Sequence, residues 1–102
     1  MIVARTVIQA QFGKGGETAA GFAKHLPQMM AEVGEKRKWR VLTDLSGSFD
    51  TVVLEVVSDS LADCEKMRPL LFQSAAFREF MGSLQAVAIS GRNNFYTVEG
   101  EG

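Results

Sequence analysis

The sequence predicts one α+β domain whose elements follow the order β-α-β-β-α-β. Three observations carry this. The first ten or so residues alternate and are rich in β-branched side chains, including Ile2, Val3, Thr6, Val7 and Ile8. Apolar residues then recur every three or four positions in two later stretches, the spacing of amphipathic helices. Between those stretches, residues 36–58 read as two strands joined by a turn. A length of 102 residues gives one core and no room for a second lobe, so residues 1–98 are expected to form the domain and residues 99–102 a flexible tail.

Taken in order, the first strand covers Met1 to Phe12 and Gly13-Lys14-Gly15-Gly16 ends it. Thr18 is the expected N-cap of the first helix, whose stripe is Ala19, Phe22, Ala23, Leu26, Met29, Met30 and Val33. Pro27 should kink or split that helix and Gly34 should stop it. The hairpin turn is placed at Ser46-Gly47-Ser48, with a positive φ at Gly47. A two-residue Gly47-Ser48 loop pairs residues whose numbers sum to 95, which sets Arg40 opposite Glu55, Leu42 opposite Val53, Val41 opposite Leu54 and Trp39 opposite Val56. The three-residue alternative sets Trp39 against Glu55 and Arg40 against Leu54. Charge against charge and apolar against apolar favours the first register. Asp59 or Ser60 can cap a second helix starting at Leu61 and broken or bent at Pro69. Ser74 can cap a further turn or two that ends at Gly82. A last strand is expected over Leu84 to Ser90, then a bulge or turn at Gly91-Arg92-Asn93-Asn94, then a short extended piece from Phe95 to Val98.

That order folds most simply as a ferredoxin-like unit, a four-stranded antiparallel sheet with both helices on one face. Trp39, Val41, Thr43, Val52, Leu54 and Val56 form the more apolar side of the hairpin and are assigned to the helices. The opposite side carries Lys38, Arg40, Leu42, Thr51, Val53, Glu55 and Val57. A monomer would leave this half-apolar sheet in water, and a second copy packed sheet to sheet removes the difficulty, so a homodimer is expected.

The segments TDLSGSFDTVVLEVVSDSLADCEKM and FREFMGSLQAVAISGRNNFYTV, set in this order of elements, resemble the small NIPSNAP-like and antibiotic-biosynthesis-monooxygenase-like members of the dimeric α+β-barrel superfamily. The resemblance spans nearly the whole chain. It implies two ferredoxin-like units closing one barrel, with ligands between the sheet and a helix. It implies no single reaction, because the superfamily holds cofactor-free oxygenases, haem-degrading enzymes, isomerases and members without known activity.

Composition narrows the classes further. Eleven Lys and Arg against twelve Asp and Glu leave a formal charge of −1, which gives no field to attract nucleic acid or an anionic membrane. No apolar run approaches the length of a membrane span, and the N-terminus lacks the pattern of a signal peptide, so a cytoplasmic location is expected. One histidine, His25, and one cysteine, Cys64, supply no usual ligand set for a metal, and the glycine-rich stretch before the first helix lacks the GxxxxGK[ST] and GxGxxG spacings. The haem-degrading relatives carry an axial histidine near the second helix and this chain has none there. No metal, haem or flavin is therefore expected.

Six residues are candidates for ligand binding. Arg40 and Glu55 form either a polar spot in a cavity, the arginine holding an anionic or carbonyl oxygen and the glutamate serving as base or orienter, or a cross-strand ion pair that fixes register. Arg5 and Gln9 on one face of the first strand, and Arg92 after the last, can add donors to the same place. His25, beside the helical stripe, is the one side chain suited to acid–base work near neutrality. Each of these four also reads as a solvated or interface side chain. Three functions follow: a homodimer binding a small, largely apolar molecule in a pocket between sheet and helices; a cofactor-independent monooxygenase of an aromatic or quinol-like substrate; and an assembly module with a filled barrel. No catalytic set is evident, so enzyme activity stays open.

Overall fold

The computed structural model describes residues 1–34 and 36–102. Among them the elements are β1 (Ile2–Ala10), α1 (Gly15–Val33), β2 (Trp39–Thr43), β3 (Thr51–Ser58), α2 (Leu61–Gln73), α3 (Ala75–Gln85) and β4 (Ala88–Thr97). The strands form one antiparallel sheet in the order β2-β3-β1-β4, the ferredoxin-like arrangement, with the second helical region divided into two helices.

The hairpin register is the expected one: Trp39 pairs with Val56, Arg40 with Glu55, Val41 with Leu54 and Leu42 with Val53. Its loop is not. Pairing stops at Thr43 and Val52, and residues 44–50 form a longer connection in which Asp44 Oδ1 accepts from the amides of Ser46 (2.8 Å) and Gly47 (2.6 Å). The residue with positive φ is Asp50, at 61°, rather than Gly47. The register sum survives because the added residues leave the strands in step.

Asp50 also explains the start of α1. Lys14 occupies the N-cap without a side-chain hydrogen bond. Asp50 reaches across from the β2–β3 loop and accepts from the amides of Gly13 (2.8 Å) and Gly15 (2.9 Å), while its own carbonyl accepts from Ala10 N (3.0 Å). A distant carboxylate thus satisfies helix-terminal donors that a local cap usually takes. A Cβ at Gly15 would lie 2.7 Å from Asp50 Cα, so only glycine permits this approach. Thr18, the expected cap, lies inside the helix, buried, with its hydroxyl donating to Lys14 O at 2.8 Å.

The helix runs unbroken through Pro27, which sits on the exposed side where water can take the orphaned carbonyl. It ends as expected at Gly34, in the left-handed conformation with φ 70°. Ser60 caps α2 by accepting from Asp63 N, and α2 likewise continues through the exposed Pro69. Ser74 caps α3 through Phe77 N, but α3 passes Gly82 and takes in Leu84, whose spacing from Phe80 keeps it on the buried stripe. β4 therefore starts at Ala88, later than expected, and runs through 91–94 without a turn. The irregularity lies earlier, where Gln9 pairs with Ser90 and Ala10 with Ala88, leaving Ile89 over.

The core lies between the sheet and α1 and α3. Phe22, Leu26, Met29 and Met30 meet Ile8 and Val52 from the sheet and Phe80 and Leu84 from α3. The rings of Phe22 and Phe80 meet edge-on at 4.7 Å.

Two substitutions test the loop-to-helix contact. Gly15→Ala is expected to destabilise the fold by about 1–3 kcal/mol, because backbone has to move. Asp50→Ala should cost about 0.5–2 kcal/mol for the lost cap, and Asp50→Gly less than Asp50→Ala, since glycine tolerates the positive φ. Urea denaturation midpoints read all three. Equal losses for the two Asp50 variants would show that the backbone conformation there carries no strain.

Candidate functional site

Because side chains alternate along a strand, the register divides the sheet into two sites. Ala4, Thr6 and Ile8 of β1, Leu54, Val56 and Ser58 of β3, and Asn93 and Phe95 of β4 face the helices and floor a cavity of about 310 Å³. Its walls are mainly apolar, drawn from α1 (Phe22, Leu26, Met29, Met30), α2 (Met67, Leu71) and α3 (Phe77, Phe80, Met81, Leu84), with Glu65 and Arg68 of α2 also on the lining. The space exists because α2 stands off. Met67 is its one buried residue, and β4 has none.

Polar bonds rather than packing fix both ends of α2. At its start, Arg37 donates to Asp63 Oδ2 (2.6 Å) and Oδ1 (2.9 Å) and to Ser58 Oγ (2.6 Å). This fork holds the Asp63 carboxyl below its ordinary pKa, with further help from the Asp59 amide. At its end, Ser74 donates to Glu32 Oε2, which also accepts from Ala76 N at 3.2 Å. Those two bonds, the Ser74 hydroxyl first, lower the Glu32 pKa.

The opposite face carries the charged cluster. Glu55 is buried and opposes Arg40 on one side and Arg5 on the other. Arg5 gives its Oε2 two hydrogen bonds, from Nε at 3.0 Å and Nη2 at 2.5 Å, while Arg40 Nε donates to Oε1 at 2.5 Å. Arg5 also lies 5.1 Å over the ring of Tyr96. Burial alone would raise the Glu55 pKa; the hydrogen bonds from Arg5 and then Arg40, with their charges, overcome it and leave the value lowered. The cluster borders a wider, open groove of about 640 Å³ that Val3, Lys38, Trp39 and Val57 also line.

The sequence candidates therefore separate. Arg40, Glu55 and Arg5 come together, on the face away from the helices. Gln9 shares that face but serves the loop: its amide donates to Phe49 O at 2.6 Å and accepts from Thr51 Oγ1 at 3.0 Å. Arg92 is exposed on β4 opposite Val7. His25 lies on α1, its Nδ1 on Gly21 O at 2.9 Å and its ring stacked on Phe80 at 5.2 Å. None of the six lines the cavity between sheet and helices, where the expected pocket falls. Its polar lining, Thr6 and Asn93 above all, escaped the sequence reading. Asn93 shares strand parity with Phe95, a signal that a turn at 91–94 conceals.

No family model matches the chain, and no curated protein matches its sequence. Solved structures do match its fold. An uncharacterised NIPSNAP domain protein from Burkholderia xenovorans superposes with a TM-score of 0.79 at 16% identity, covering 96% of this chain and 94% of that one. A candidate antibiotic biosynthesis monooxygenase from Nitrosomonas europaea gives 0.71 at 11% identity, covering 97% and 99%. A cofactor-independent oxygenase from Streptomyces nogalater gives 0.67 at 13% identity, covering 98% and 94%. The fold is the ferredoxin-like α+β fold of the NIPSNAP-domain and monooxygenase-like proteins.

The Glu55 cluster makes two predictions. Arg5→Met removes two charge-assisted bonds and is expected to cost about 1.5–3 kcal/mol, whereas Arg40→Met, at a well-exposed side chain, should cost about 0.2–1 kcal/mol. Thermal melts would rank them, and the reverse order would show Arg40 to be the main anchor. The second concerns pH. The folded Glu55 pKa lies below the unfolded value of about 4.3, so its contribution is complete above that value and disappears as pH falls through the lowered one. Denaturation at a series of pH values should therefore show Glu55→Gln clearly less stable than the parent at pH 7, with the gap closing toward pH 3.

Proposed function

We propose that this protein is a homodimeric α+β-barrel protein that binds a small, largely apolar molecule in the cavity between its sheet and helices. The observation that carries the reading is the cavity itself: about 310 Å³ with a mainly apolar lining and a few small polar groups, the character of a small-molecule site. An interior filled for structural reasons alone would leave no such space. The dimer is supported by the uncovered sheet face, where Val3, Val7, Val53, Val57 and Leu42 lie among the charges of the Glu55 cluster. No helix among the described residues is long and apolar enough to cross a membrane, and a cytoplasmic setting, in which Cys64 remains a thiol, suits this reading. The Streptomyces nogalater neighbour supports a second reading, a cofactor-independent monooxygenase of an aromatic or quinol-like substrate, since such chemistry needs a dry pocket more than a catalytic motif.

Two measurements test the proposal. The apolar dye N-phenyl-1-naphthylamine should bind saturably, one per chain, and Ala4→Phe, which fills the cavity floor, should abolish binding while the protein stays folded by circular dichroism. Dye binding that survives Ala4→Phe would place the site elsewhere. Sedimentation should give a dimer, with an interface of roughly 2,000 Å² or more, that Val53→Lys converts to monomer; a monomeric parent protein would remove the dimer from the reading. Oxygen uptake with an oxidisable aromatic separates the oxygenase from simple binding.

A further inference from the structure

Apart from Ser58, the cavity floor is apolar except at one place where two strands bring a matched polar pair together. Thr6 and Asn93 are direct partners in the β1–β4 register, and both side chains face the helices. Thr6 Oγ1 donates to Asn93 Oδ1 at 2.8 Å. That bond uses the hydroxyl's only proton and orients the amide with its oxygen toward Thr6. The Asn93 Nδ2 group keeps two N–H donors, and no hydrogen bond from it occurs among the described residues. The other polar lining groups lie elsewhere. Ser58, which accepts from Arg37 and keeps its own hydroxyl proton, pairs with Ile2, four residues along β1 from Thr6, and Cys64 is a weak donor. On α2, Glu65 and Arg68 also line the cavity, and their opposite formal charges sum to zero.

We propose that the cavity is specific for a neutral, apolar molecule bearing a carbonyl-type oxygen, and that Asn93, oriented by Thr6, is the specificity-determining residue that donates to that oxygen. This rests on the reading of the cavity as a binding site and adds the chemistry of what it takes. An apolar wall admits any greasy molecule of suitable size. The Asn93 amide is exposed, so its two donors face water until a bound molecule covers them, and a molecule that covers them without supplying an oxygen strips that water and returns nothing. Asn93 is the donor and Thr6 a positioning residue, so the two variants should differ. Loss of Asn93 removes the hydrogen bond, while loss of the Thr6 hydroxyl frees the amide to rotate.

Displacement of N-phenyl-1-naphthylamine by two molecules of one shape tests this: 2-octanone, and 2-methyl-1-octene, in which a methylene replaces the oxygen. In the parent protein both should displace the dye. In Asn93→Leu the ketone's affinity is expected to fall about three- to tenfold relative to the alkene's, the worth of one hydrogen bond, while the alkene binds as well or better. Thr6→Val should show a smaller relative loss in the same direction. An unchanged ketone-to-alkene ratio in Asn93→Leu overturns the assignment and leaves the cavity as an unselective apolar site. Octanoate binding more tightly than 2-octanone, and weakening in Arg68→Gln, would overturn it in favour of an anionic ligand. Failure of the dye and both compounds to bind the folded parent protein overturns the reading of the cavity, and this inference with it.

Discussion

A single buried carboxylate sets the register of three strands. Glu55 is the direct partner of Arg5 in β1 and of Arg40 in β2, so the row Arg40, Glu55, Arg5 crosses three of the four strands at right angles to them. A slip of one residue in either pairing would put an arginine opposite Leu54 or Val56, leave the carboxylate with only one of its two arginines, and turn every side chain of that strand to the other face. Everything on the helix side depends on this. Ala4, Thr6, Ile8, Leu54 and Val56 reach the cavity because the charges hold the opposite parity. The cluster, which as a sequence feature suggests a site, acts here first as the reason the cavity has the floor it has.

The cavity also depends on an imbalance among the helices. α1 and α3 pack closely through Phe22 and Phe80, whereas α2 buries only Met67. A helix so poorly packed would ordinarily collapse onto the sheet or drift away from it. It does neither because its ends are tied by directional bonds, Arg37 to Asp63 at one end and Ser74 to Glu32 at the other. Hydrogen bonds have fixed lengths, and hydrophobic contact does not. A helix hung on such bonds can span an empty space that packing forces alone would close.

The hairpin register was legible because opposed charges penalise the alternative, and the helix ends at Ser60, Ser74 and Gly34 because their caps have local chemistry. Three features were not. The cap of α1 comes from Asp50, 35 positions beyond Gly15, and no local rule reaches that far. Leu84 fits the stripe of a helix and the alternation of a strand equally, so the border of α3 and β4 had to be settled by packing against Phe80. The polar lining of the cavity is hidden in the sequence for a related reason. Strong charges draw attention in a sequence, and the two uncharged polar residues of the cavity floor resemble ordinary strand residues until their parity is known. Reading Gly91–Asn94 as a turn hid that parity for Asn93.

The grip of Asp50 on the start of α1 also bears on where this chain can grow. A β-hairpin loop is usually the place where related proteins differ in length. In this loop the two halves are unequal. Leu45 at its tip is 99% exposed, and added residues there would extend into solvent. Residues placed next to Asp50 would instead pull its carboxylate from Gly13 and Gly15 and leave a helix terminus uncapped at the edge of the core. Lengthening of this loop over evolution, or by design, is therefore confined to its first half, and a binding tag or second domain inserted into the hairpin belongs at Leu45.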